Sequence, residues 1–191
     1  MPIPTIYRKA SEAAIASYSY TDIAEGTGVT QFWLYSSQNS VGLDYHINSN
    51  SCFSASTETV CTGVTIDFDL PPFNLPKNIK GTAIINLCYR IDGASGSGSM
   101  SVTLKKYSGT TETSISSAVS SPDANAAPAT YTHWTFHIPI TTIAHFKKGD
   151  ILRVAITGTG NGSGVPNIQH DPKGTAGQKD SNIFIPFVLD L

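Results

Sequence analysis

Five histidines, three cysteines and fourteen carboxylates are the groups in this chain that could move protons, hold a metal or attack a carbonyl. His133 and His137 are four residues apart, a spacing that on a helix lets two imidazoles share one zinc. Here Trp134, Phe136 and Ile138 alternate with His133, Thr135 and His137, which predicts a strand. Four residues of strand span about 13 Å, too far for two ligands of one ion. Both histidines therefore read as polar residues facing solvent or an interface, and His145 reads as a residue before a turn. His170-Asp171-Pro172 has the composition of an acid–base pair. No G-x-S-x-G elbow accompanies it, so it reads as a turn in which Asp171 caps a local backbone N–H.

Asp67 and Asp69 share one side of an alternating strand, about 7 Å apart, which formally suits a pair of glycosidic carboxylates. Any outward-facing acidic strand gives the same spacing. The glycines at 158, 160, 162 and 164 imitate a phosphate cradle, but no helix opens after them and they read as a hairpin tip. Cys52, Cys61 and Cys88 are odd in number and lack a C-x2-C pair, which argues against a closed disulfide framework and against zinc; they read as free thiols. Trp33 and Tyr35 alternate with Phe32 and Leu34, so one of the two sets faces away from the core. Sugar-binding sandwiches use such aromatics as stacking platforms, and core or subunit packing is the alternative use.

The elements that hold these groups read as strands. Val64, Ile66, Phe68 and Leu70 share one face while Thr65, Asp67 and Asp69 share the other, the period-two pattern of a half-buried strand. Leu152, Val154 and Ile156 repeat it against Ile151, Arg153 and Ala155. Further strands are predicted at 28–36, 42–48, 81–91, 98–107, 111–119 and 182–190. Residues 93–99, 120–129 and 158–164 read as permissive loops. Residues 8–16 alone have a helix-forming composition, and nine residues are too few for an isolated helix. Residues 1–20 are therefore predicted to be an N-terminal arm on a single all-β domain, a sandwich or barrel, spanning 21–191.

The 191 residues include 43 Ser and Thr, only 14% are charged, and the net charge is −2. That balance gives no electrostatic footprint for nucleic acid or for anionic lipid. No apolar run approaches the roughly 18 residues of a membrane span, and Met1-Pro2-Ile3-Pro4 does not open a signal peptide. No cofactor motif appears. Two strands break the alternation, 83–89 and 183–189, being apolar on nearly both faces. Such strands need cover on both sides. Pro186 points to an edge or bulge, so Ile84, Cys88, Ile183, Phe184, Ile185 and Phe187 are the predicted subunit-interface residues.

Phe146-Lys147-Lys148-Gly149-Asp150-Ile151-Leu152-Arg153-Val154 resembles the turn and strand of many jelly-roll sandwiches, including trimeric C1q/TNF-like folds. With 21–28, 80–86, 105–113 and the ending 185–191, the chain resembles tailed-phage head decoration (cement) proteins. The resemblance implies a jelly-roll type antiparallel β-sandwich, a homotrimer, and a virion structural role on the head surface. The major capsid protein would be its partner, and no catalytic centre is implied. The arm, through Tyr7, Arg8, Lys9, Tyr18 and Tyr20, would then supply capsid contacts cheaply in a lattice of high effective concentration. The competing reading is a carbohydrate- or receptor-binding module, with host surface glycan as its ligand. A hydrolase would rest only on His170-Asp171 and scattered carboxylates.

Overall fold

The computed structural model describes residues 28–36, 45–49, 57–127, 130–171 and 180–188. Among these there is no helix, and thirteen strands form one continuous sheet folded into an all-β sandwich. The predicted arm, with Tyr7, Arg8, Lys9, Tyr18 and Tyr20, the helix-forming segment 8–16 and Cys52 lie outside the described residues.

One layer is built on β5 (Lys77–Asp92), the longest strand. Along one edge it pairs with β10 (Thr132–Phe146); along the other it pairs first with β13 (Asn182–Val188) and then with β12 (Val165–His170). Outside β13 comes β1 (Gly28–Ser36), and outside β12 comes β3 (Thr57–Val60). The opposite layer is β4 (Thr65–Asp69), β11 (Ile151–Gly162), β6 (Gly96–Tyr107) and β7 (Glu112–Ser114). Two short strands, β8 (Val119–Ser120) and β9 (Ala124–Asn125), also pair with β6. β2 (Tyr45–Asn48) carries the sheet between layers, antiparallel to β1 and bridged in parallel to β4.

Alternation explains the core. Phe32 and Leu34, Ile66 and Phe68, Leu152, Val154 and Ile156, and Ile183, Ile185 and Phe187 all project into one hydrophobic cluster between the layers. Ile183, Ile185 and Phe187 are at most 2% exposed and Cys88 is 0% exposed. These four side chains, predicted from sequence to meet another subunit, are covered within their own chain and have no surface left for a partner. Ile84 and Phe184 stay half-buried on the outer face, on the side of β5 that also carries the covered Cys88. The reason is position: β13 lies between β1 and β5, so one of its faces always meets the core. Pro186 falls where the β13–β5 register shifts, between Phe184 and Phe187. Beside it Gly81 takes a φ of +116° and a Cβ there would touch the Pro186 ring at 3.5 Å, so the proline is accommodated by a bulge next to a glycine.

Two predicted loops are strands over part of their length. Residues 96–99 pair with 159–162 as the ends of β6 and β11, and the turn of the predicted hairpin tip is confined to 163–164. Their glycines answer to crowding, since a Cβ on Gly158 would lie 2.6 Å from Cys61 Sγ and one on Gly160 would lie 2.1 Å from the Gly164 carbonyl. Neither tract is a phosphate cradle. Val64 precedes β4 and is 56% exposed, and Trp134, on an edge strand paired on one side only, is 40% exposed.

Candidate functional site

His170 ends β12, and Asp171 follows it at a φ of +60°, an uncommon conformation for a residue with a side chain. That turn swings the Asp171 carboxylate back so that Oδ2 lies 3.0 Å from His170 Nδ1. The same carboxylate accepts the Ser36 backbone N–H at 2.8 Å and the Ser36 hydroxyl at 2.7 Å. On the far side of the ring, His170 Nε2 lies 2.7 Å from Thr59 Oγ1. Tyr45 Oη stands 3.4 Å from the same hydroxyl. Burial would raise the Asp171 carboxyl, but the bonds from His170 and from Ser36 outweigh it and hold it down at about 2. His46, stacked on Tyr35 at 5.3 Å, is pushed below its ordinary value by burial, partly offset by the nearby Asp171 charge.

Asp171–His170–Thr59 has the connectivity of a carboxylate, a base and a hydroxyl nucleophile. Its setting is different. His170 is 0% and Asp171 2% exposed, Tyr45 and Phe68 rings lie edge-on to the imidazole, and both ring nitrogens are engaged. A base in a catalytic site must reach a substrate proton, with room about 3 Å from both nucleophile and oxyanion donors. Here the group ties β12 to β3 on one side and to β1 on the other. Asp171 does cap a backbone N–H, as its sequence predicts, but that of Ser36, 135 residues away. Thr59 and Tyr45 carried no sequence signal, because β3 is four residues long and its register with β12 is set at a distance.

Asp67 and Asp69 are not a matched pair. Asp69 is 4% exposed and takes two parallel bonds of 2.7 Å from Arg153 Nε and Nη2. Asp67 lies 3.2 Å from Arg153 Nη1, and Glu112 lies 2.7 Å from the same nitrogen. Burial pushes the Asp67 carboxyl up, against the pull of Arg153 and Lys105. Glu112 is drawn down chiefly by its bond from Lys105, with burial opposing and Arg153 assisting. The cluster joins β4, β11, β6 and β7 through one guanidinium, which is also stacked 4.7 Å over Tyr107. His133, His137 and His145 are all exposed on β10. Among the described residues no three His, Cys, Asp or Glu side chains group to hold a metal ion, and Cys61 and Cys88 are buried.

The outer face of β1, β13, β5 and β10 is the remaining candidate. Register places Gln31, Phe184, Ile84 and His137 in one row across the four strands, and Trp33, Asn182, Asn86 and Thr135 in the next. The first row carries half-buried apolar side chains at its centre. Nearer the start of β1, Val29 is 65% exposed opposite the half-buried Pro186. Sequence reasoning named Ile84, Phe184 and Trp33 separately, and only the register shows that they share a face.

No family model matches the chain, and no curated protein matches it. Solved structures do. A CocE/NonD family hydrolase from Staphylococcus aureus superposes at a TM-score of 0.65 with 12% identity, covering 85% of this chain and 37% of that one. An α-amino acid ester hydrolase gives 0.62 with 10% identity, covering 83% and 36%. An aminopeptidase from a marine sediment archaeon gives 0.61 with 8% identity, covering 84% and 37%. The chain thus spans little more than a third of the length of these proteins. At such identities the likeness shows a shared fold and nothing of their chemistry.

Proposed function

We propose that this chain is a non-enzymatic structural protein of a virion, a head decoration protein that binds the outer capsid surface and bridges its subunits. The observation that carries this reading is the apolar strip on the outer face of an otherwise closed sandwich. Phe184 stands opposite Ile84, and Pro186 stands opposite the exposed Val29. The strip runs toward Gly28, where the chain enters β1 from residues 1–27. Arm and strip would thus act together, the strip covered by a neighbouring copy in a trimer and the arm laid on the capsid protein. Uncharged half-buried side chains suit a protein partner, and a lattice raises the effective concentration of weak contacts. The resemblance to decoration proteins and the sealing of His170 and Asp171 inside the fold support the same conclusion.

The test is light scattering followed by co-sedimentation with capsids that lack the protein. A mass near three protomers and saturable co-sedimentation are expected, with Phe184→Asp losing the trimer while keeping its circular dichroism spectrum. A monomer that stays in the supernatant would sink the proposal.

A further inference from the structure

Trp33, Asn182, Asn86 and Thr135 are direct cross-strand neighbours, so four strands contribute one side chain each to a single row. At about 4.8 Å between strands the row is about 14 Å long. Its polar members are bonded in one direction. The Thr135 hydroxyl donates to Asn86 Oδ1 at 2.8 Å, and Asn86 Nδ2 donates to Asn182 Oδ1 at 3.0 Å. The chain of bonds therefore ends at the Asn182 amide N–H2, beside Trp33, and bonds so aligned polarise one another. No acceptor for that N–H2 is found among the described residues. An indole surface thus adjoins donors that only solvent or a ligand can satisfy.

Charge limits what the ligand can be. Neither this row nor the Gln31–Phe184–Ile84–His137 row beside it holds a Lys, Arg, Asp or Glu. The charged residues of β5 on this side are Lys80, near one end, and Arg90 and Asp92, at the other, where Glu58 and Asp92 neutralise the guanidinium at 2.7 and 2.9 Å. Within these two rows an anionic ligand has no counter-charge, and a cation has none either. A pyranose fits, because it presents an apolar C–H face for an aromatic ring and a hydroxyl edge for paired amide donors and acceptors.

We propose that the Trp33–Asn182–Asn86–Thr135 row is a binding site for a neutral polysaccharide, with Trp33 as the stacking platform and the two amides and Thr135 as the hydrogen-bonding track. The site lies two residues along β13 from Phe184, about 7 Å, so it is the row that borders the strip assigned to protein contact.

Affinity electrophoresis of the full chain through dextran, mannan, galactan and β-glucan gels, with dextran sulfate as the anionic control, tests this. At least one neutral polymer is expected to retard the protein saturably and independently of salt. Trp33→Ala and Asn182→Ala should each weaken that retardation by about ten-fold, whereas Trp134→Ala, at the exposed tryptophan of β10, should leave it unchanged. If Trp33→Ala fails to fold, Thr135→Val and Asn182→Ala carry the same expectation from the polar part of the row. Retardation by dextran sulfate alone, by no polymer, or by a neutral polymer without regard to these variants would overturn the site. Capsid co-sedimentation of the same variants separates the two proposals, since loss of polysaccharide binding with capsid binding intact removes only this one.

Discussion

Asp171 and His170 are adjacent in the chain, yet their side chains meet, Oδ2 to Nδ1 at 3.0 Å, only because Asp171 adopts a φ of +60°. The turn is held by Ser36, whose N–H and hydroxyl both donate to the same carboxylate. The Asp171 N–H in turn donates to the Leu34 carbonyl at 2.9 Å. The end of β12 is thereby latched to β1.

The latch predicts an acid limit to stability. The folded carboxyl sits at about 2, below the roughly 3.9 of an unfolded aspartate. Its contribution is complete above about pH 4 and is lost as pH falls toward 2, amounting to about 2 kcal/mol. Asp171→Asn should lower stability at neutral pH and flatten the urea midpoint between pH 4 and 2. An unaltered acid profile in that variant would show that the carboxylate is not the group responsible.

His46 gives a second and separate window. Burial holds its folded value below the ordinary one, so the neutral ring is favoured by folding. That stability is complete above about pH 6.5 and declines as pH falls below it. His46→Phe keeps the stack on Tyr35 and should remove the decline. Thermal melts of both proteins from pH 7 to 5 make the comparison, and parallel curves would refute it.

Arg153 should matter more than any of its partners. Removing it leaves Asp69, 4% exposed, as a buried charge without its bidentate partner; such losses cost about 3 kcal/mol. Asp69→Asn leaves Arg153 with Asp67 and Glu112 and should cost about half as much. Urea unfolding of Arg153→Met and Asp69→Asn should return that order, and the reverse order would mean that the guanidinium is not the hub.

Gly158→Ala forces a Cβ to within 2.6 Å of both Cys61 Sγ and Pro166 Cβ. Overpacking of this kind costs about 2 kcal/mol, whereas Thr159→Ala, at an exposed neighbour, should stay within about 0.5 kcal/mol. Equal denaturation midpoints for the two variants would contradict the packing described.

Local pattern alone determined a good deal. Ile66 and Phe68, Leu152, Val154 and Ile156, and Phe136 and Ile138 announce their strands and their inward faces, because successive side chains of a strand point to opposite sides whatever it pairs with. His133 and His137 are excluded as a shared metal site on the same ground. Pairing is another matter. Glycine tracts read as loops because their composition is permissive, and only the pairing of 96–99 with 159–162 and the approach of Cys61 and Pro166 to Gly158 show how much of them is close-packed strand. Cys88 and Ile183 looked like interface residues because two-sided apolar strands need cover, and which strand supplies it depends on sheet order. Thr59 reaches His170 across 111 residues, and Trp33, Asn182, Asn86 and Thr135 come from four separate strands. A strand's alternation is a property of its own backbone, but its neighbours and register are set by hydrogen bonds to distant segments and by the fit of one shared core. The relay and the polar row therefore exist only in the folded chain.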